Sequence, residues 1–300
     1  MPELPDLTIY VEHLERRLLS RTLERVRVNG WNLLRTAAPP LADAEGRVVE
    51  SVRRVGKRIV FALDNGLRLA LHLMIAGRLH WREAGAKLSK KVGLAAFDFA
   101  HGSLVLTEAS SHQRAGLHVL EDDAAVAALD AGGVEPLTVD VAGFADALAR
   151  EDHTIKRTLT DPRLFAGIGN AYSDEILHRA KMSPFKRTTQ MSEEEIARLH
   201  AATIAVLSEW IERLRVETGD DFPEHVTAFR EGFAVHGKYK RPCPVCGAPV
   251  QRVVYAEKND MNYCAGCQTG GRLLADRAMS RLLRDDWPRT LEELEERKRG

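Results

Sequence analysis

Three hundred residues, 44% of them hydrophobic, suffice for one large domain or two to three modest ones, and they exclude a predominantly disordered chain. Lys plus Arg and Asp plus Glu both number 43, so the formal charge is zero, and a polyanionic partner has to be met by a local patch rather than a global basic excess. The chain contains no run of the ~18 consecutive apolar residues a membrane span requires. Its start, MPELPDL, places an acid where a signal peptide carries basic and apolar residues. The sequence therefore predicts a cytoplasmic protein without membrane association. Four cysteines confined to Cys243–Cys267 point, in a signal-free chain, to a metal site rather than a disulfide framework.

In chain order, Leu7, Tyr10, Val11, Leu14 and Leu18 recur at helical spacing behind Asp6, a competent N-cap, which predicts an amphipathic helix close to the terminus. From about Thr22 to Leu120 the period changes to two, as in Ile59-Phe61-Leu63 and Leu67-Leu69-Leu71-Leu73 around Asp64-Asn65-Gly66, and an antiparallel sandwich or barrel is expected. Residues 121–152 hold nine acids and one base together with Gly132-Gly133 and Pro136, a composition that suits a solvated connection. From His153 the pattern is helical. Ser192 and Glu195 form a capping box before the apolar stripe Ile196, Leu199, Ile204, Leu207, Ile211, Leu214. A Gly/Cys/Pro-rich module follows over about 235–271, and the tail predicts a helix from Leu273 to Leu283.

Three constellations carry chemistry. Cys243-Pro-Val-Cys246 and Cys264-Ala-Gly-Cys267 are separated by seventeen residues; two such knuckles supply four thiolates to a tetrahedral Zn²⁺ on a β-hairpin, and four protein ligands make the metal structural. The surrounding segment 236–272 has six bases against two acids, which suits a phosphate backbone. Gly167-Ile-Gly169-Asn170 opens a helix whose free N–H groups favour a phosphate, with Lys156 as a nearby cation. At the terminus, trimming of Met1 leaves Pro2 with a secondary amine able to attack a carbonyl-like carbon, beside Glu3 as proton shuttle.

Together these motifs resemble the formamidopyrimidine-DNA glycosylase and endonuclease VIII family of bifunctional base-excision repair enzymes. MPELPD, Gly56-Lys57 before a strand, HLMIAG at 72–77, Ile155-Lys156 through GIGNAYSDEIL, and the CPVCG and YCAGCQ knuckles occur in the family's order over residues 2–268. The resemblance implies an α+β multidomain protein. A helix plus β-sandwich catalytic domain would span 1–130, an acidic linker 131–152, a helix-two-turn-helix domain 153–234, a zinc-finger β-hairpin 235–271 and a helical tail 272–300, with DNA in the cleft between domains. It implies a monomer acting on damaged double-stranded DNA as glycosylase and AP lyase. Pro2 would be the nucleophile, Glu3 the general acid/base and Lys57 a lysine near the lesion. DNA contacts would come from His72, Met74, Arg114, Lys156, Gly169, Asn170, Tyr172, Lys238 and Asn259, and one Zn²⁺ would sit on Cys243, Cys246, Cys264 and Cys267. Parity places His72 and Met74 on one strand face, and Met74 would be the wedge that fills the stack when a nucleotide is extruded.

The chain departs from the family at several points. Asn259 stands where the finger usually carries arginine, and Gln113 and Ala115 replace the first arginine and the aromatic of an Arg-Arg-Phe-Gly run, so the family's opposite-base preference does not carry over. Two other classes fit parts of the sequence: a non-catalytic damaged-DNA-binding protein on the same scaffold, and a zinc-ribbon accessory subunit of a nucleic-acid-processing complex.

Overall fold

Helix α1 (Leu4–Leu18) begins earlier than its apolar spacing suggests, because Glu3 rather than Asp6 is the N-cap. Asp6 is the third helical residue of a capping box, and its Oδ2 accepts the Glu3 amide at 2.8 Å. The protein, seen here in a computed structural model that describes residues 1–254, 260–275 and 288–299, then runs through nine short strands. These are β1 (Thr22–Leu23), β2 (Arg25–Val28), β3 (Arg47–Val55), β4 (Arg58–Leu63), β5 (Arg68–His72), β6 (Gly77–Arg82), β7 (Gly93–Phe99), β8 (Gly102–Glu108) and β9 (Gly116–Leu120). They form a five-stranded sheet, β1-β3-β4-β5-β9, and a four-stranded sheet, β2-β7-β8-β6, every pairing antiparallel. Alternate residues such as Ile59, Phe61, Leu69, Leu71, Leu104 and Leu106 turn inward onto the apolar face of α1, the two-residue period expected of a sheet with one buried face.

Residues 121–152, expected as a solvated connection, carry regular structure of their own. Helix α2 (Asp123–Ala128) and helix α3 (Val141–Ala149) lie within them, and two of the acids cap these helices: Asp122 accepts the Ala125 amide and Asp140 the Gly143 amide, each at 2.8 Å. Phe144 is fully buried against Phe165. Most of the acids are exposed, as their composition suggests, and two of them also serve as caps. The chain divides into two compact units, Met1–Gly133 with Ser208–Ala228, and Val134–Leu207 with Phe229–Gly300. Helix α6 (Glu193–Thr218) starts at the expected box, with Ser192 N–H on Glu195 Oε2 at 3.0 Å, but no helix follows it over 219–234.

The second unit holds α4 (Ile155–Thr160), α5 (Asn170–Arg179), the hairpin of β10 (Val250–Val254) and β11 (Asp260–Cys264), and the single-turn α7 (Ala265–Thr269). The helix expected over Leu273–Leu283 falls mostly outside the described residues; within them Leu273–Ala275 is irregular, and α8 (Leu291–Arg299) lies further along the chain. Asn259 also lies outside them. No described helix is long and apolar enough to cross a membrane.

Candidate active site and metal centre

The chain terminus is fixed from both sides. Glu3 is 4% exposed, and the hairpin between β3 and β4 turns through Gly56 at φ +56°, a left-handed conformation that glycine adopts without penalty and that brings Lys57 to the same place. The amine of residue 1 feels Glu3, Arg78, Asp6 and Lys57 as neighbouring charges; burial pushes its pKa below the ordinary value. Burial likewise pushes the Lys57 ammonium down, against the attraction of Glu3. Two amines biased toward their neutral, nucleophilic forms and one carboxylate therefore converge. Arg78, for which no motif speaks, holds the neighbouring backbone through Val226 O (2.5 Å), Gly77 O (2.7 Å) and Ile75 O (3.1 Å).

Strand β5 ends at His72, so Met74 lies just beyond the strand on which the parity argument rests, while burial still alternates from Leu71 to Met74. A tight turn follows. Gly77 N–H bonds Leu73 O, and a Cβ on Gly77 would lie 2.2 Å from that oxygen, so only glycine closes the turn. Met74 is forced to φ +53° and is half-buried, while Ile75 at the tip is 60% exposed. His72 points elsewhere: its Nδ1 accepts the Met74 amide at 3.1 Å, and burial, reinforced by Arg58, Lys57 and His118, lowers its pKa to about 4. At neutral pH it is an uncharged donor, not a cation.

Among the remaining expected DNA contacts, Arg114 is exposed and its amide is held by Glu108 Oε2 at 2.8 Å, whereas the adjacent Ala115 belongs to the sandwich core. Asn170 is exposed at the first turn of α5, its Nδ2 donating to Asp260 O at 2.7 Å. Gly169 is the extended N-cap, and the left-handed residue of the loop is Gly167, at φ +80°. Lys238 is half-buried. Tyr172 is 1% exposed with its ring edge-on to Phe233, a core position. Lys156 departs furthest from expectation. It is 6% exposed, and its Nζ donates to Asp174 Oδ1 (2.5 Å), Asn170 O (2.7 Å) and Ser173 Oγ (2.8 Å). These bonds tie the cation to the first turn of α5.

The same helix builds a polar junction. Asp174 Oδ2 pairs with His236 Nδ1 at 2.7 Å and accepts the Asn262 amide at 2.9 Å. Glu175 accepts the amides of Ala234, Val235 and His236 at 2.8–2.9 Å. The GIGN motif points to the loop, but an Asp-Glu pair in a helix reads as ordinary surface, so the sequence carries no signal for these next residues.

The four cysteines converge. Cys246 Sγ is 3.3 Å from Cys264 Sγ, Cys243 Sγ is 3.8 Å from Cys267 Sγ, and the Cys246 thiol also interacts with Cys243 and Cys267. A tetrahedral ion with metal–sulfur bonds of ~2.3 Å needs sulfurs about 3.8 Å apart, so the donor set fits. Burial pushes the Cys264 and Cys267 thiols up, the latter to about 11, and a bound cation is what would hold them as thiolates at neutral pH. His178, absent from the sequence reading, joins Cys243, Cys264 and Cys267 with ligand atoms within 4.8 Å of one another.

Comparison with known proteins completes the description. A sequence model of the formamidopyrimidine-DNA glycosylase N-terminal domain matches residues 1–115, and one of the formamidopyrimidine-DNA glycosylase H2TH domain matches residues 133–220. The formamidopyrimidine-DNA glycosylase of Chloroflexus aggregans is 33% identical over 275 residues, covering 89% of this chain and 98% of that protein. An uncharacterized formamidopyrimidine-DNA glycosylase-like protein of Mycobacterium tuberculosis is 44% identical over 152 residues, 51% of this chain and 94% of the relative. Among solved structures, Lactococcus lactis Fpg in complex with an abasic site containing DNA superposes with a TM-score of 0.79 at 25% identity, over 89% of this chain and 99% of that one.

Proposed function

Because the chain belongs to the formamidopyrimidine-DNA glycosylase family, we propose that it is a base-excision repair DNA glycosylase with AP lyase activity, which removes oxidised bases from duplex DNA through a covalent intermediate on Pro2. The observation that carries this reading is the buried terminus, where Glu3, Lys57 and Arg78 surround the amine and burial lowers its pKa. Loss of Met1 leaves the Pro2 secondary amine in that environment. The amine attacks C1′ of the extruded sugar, and the glycosidic bond breaks with its electron pair going to the departing base. Glu3 supplies the proton the leaving group requires, then takes up the proton that the Pro2 nitrogen sheds and passes it to the ring oxygen as the sugar opens to an iminium. The iminium acidifies the C2′ hydrogen; its removal expels the 3′ phosphate and cuts the strand. Lys57, at the turn of the β3–β4 hairpin, stands near the lesion.

Ile75, not Met74, takes the wedge role. It is an exposed apolar side chain carried on a rigid turn, the arrangement suited to filling an emptied stack. Cys243, Cys246, Cys264 and Cys267 would hold one Zn²⁺, which supplies a closed structural cross-link to the hairpin and takes part in no step of the reaction. Incubation with an abasic or oxidised-base duplex and borohydride tests the assignment: a stable adduct mapping to Pro2, abolished by a blocked N-terminus, is expected. An adduct on Lys57 with the blocked protein still active removes Pro2 from the role, and no adduct with any lesion leaves a damage-binding protein.

A further inference from the structure

Helix α5 reaches the cysteine cluster through His178. Asp174, Glu175 and His178 lie three and four residues apart and so share one face of the helix. Asp174 and Glu175 fasten that face to residues 234–236 and to Asn262 by hydrogen bonds. His178, 6% exposed, places Nε2 at 3.3 Å from Sγ of Cys243, which is itself 2% exposed. On the second knuckle, the Cys267 amide donates to Cys264 Sγ at 3.4 Å. One buried sulfur is thus served by a backbone amide and another by an imidazole.

We propose that His178 donates its Nε2–H to the Cys243 thiolate of the metal-loaded four-cysteine centre, as a positioning residue that ties the centre to α5 without ligating the ion. Four thiolates complete a tetrahedral shell, so a fifth donor atom has no coordination position to take. They also leave a dication with a net charge of −2 in surroundings that exclude water at Cys243. An N–H aimed at one sulfur withdraws charge from it, slows its protonation and fixes its direction, the work that hydrogen-bonded partners outside the ligand set do at metal centres. The neutral imidazole carries one N–H, and the sulfur at 3.3 Å places it on Nε2. The inference rests on the metal reading of the cysteines and is independent of the glycosylase chemistry.

The test begins with the metal content of the wild-type protein, followed by the rate of zinc loss to a chelator for wild type, His178→Phe and His178→Gln. Removal of the donor in His178→Phe should speed release by about 10- to 100-fold, and His178→Gln, which keeps an N–H, should recover part of that. A purely packing role predicts the opposite order, since Phe fills the volume better. The cobalt-substituted protein should keep the absorption of four thiolates in wild type and both variants. If neither variant folds, magnetic resonance of wild-type protein loaded with cadmium and labelled histidine decides, with the His178 Nε2 proton expected to couple to the metal through the sulfur. A proton on Nδ1, a spectrum of three thiolates and one nitrogen, or release unchanged in His178→Phe would overturn the proposal alone. Wild-type protein that binds no metal would overturn it together with the metal reading.

Discussion

Met74 carries a long side chain at φ +53°, a region that costs an ordinary residue about 1–2 kcal/mol. Met74→Gly should therefore be nearly neutral in urea unfolding, the relieved strain offset by the freer unfolded chain, whereas Met74→Val should lose about 1–2 kcal/mol because branching at Cβ worsens the left-handed clash. Ile75→Ala leaves the turn intact and should slow excision from duplex DNA, where the wedge offsets a few kcal/mol of unstacking, while borohydride trapping on single-stranded abasic DNA stays unchanged. Equal losses on both substrates would remove Ile75 from the wedge role. His72 gives a pH signature. Its folded pKa of about 4 lies below the ordinary 6.5, so between these values the unfolded chain binds a proton that the folded one does not. Its contribution is complete above about 6.5, is lost as pH falls toward 4 and levels off below; His72→Asn should flatten the stability slope in that window and leave it unaltered above 7.

At the scale of elements, α4 and α5 are joined by a buried ion pair whose members are 8% and 1% exposed at the side chain. Lys156→Met strips the cation from Asp174 and leaves a buried carboxylate short of a partner, a change that costs about 3–5 kcal/mol. Thermal unfolding should show it as a large loss, and a Lys156→Met, Asp174→Asn double variant should recover part of it. A stability near wild type in the single variant would mean that the pair is not closed. The sandwich and the caps of α6 were legible in the sequence because they follow from periodicity and from local hydrogen bonds. Periodicity also located the strands around Asp64-Asn65-Gly66, and spacing alone located the metal knuckles. What the sequence hid is where a polar group ends up. A buried lysine such as Lys156 and an exposed one look identical in one dimension, and Asp122 and Asp140 look like linker acids until the helices that they cap are seen. The turn at Leu73–Gly77 carries Met74 off the strand, and its close approach at Gly77 is a tertiary event that strand parity does not register.

Over the whole molecule, 43 bases balance 43 acids, so attraction to a duplex depends on where the cations stand and not on their number. Lys156 is withdrawn into the second unit and His72 is neutral. Arg114, Lys240 and Arg241 are exposed, and Arg252 lies with its guanidinium 4.7 Å from the centre of the Tyr239 ring on the cysteine hairpin. Each cation that neutralises a phosphate releases counterions and adds about −0.9 to the slope of log affinity against log salt. Binding to an abasic duplex should therefore weaken steeply with salt in spite of the zero net charge. Lys240→Ala with Arg241→Ala should make that slope shallower by about 1.8, alike for every flanking sequence, because a phosphate contact carries no sequence information. The measurement is a fluorescence-anisotropy titration at several salt concentrations on two unrelated duplexes. A flat salt response in the wild-type protein would show that the exposed cations do not meet the backbone, and a slope unchanged by the double substitution would move the contact away from the cysteine hairpin.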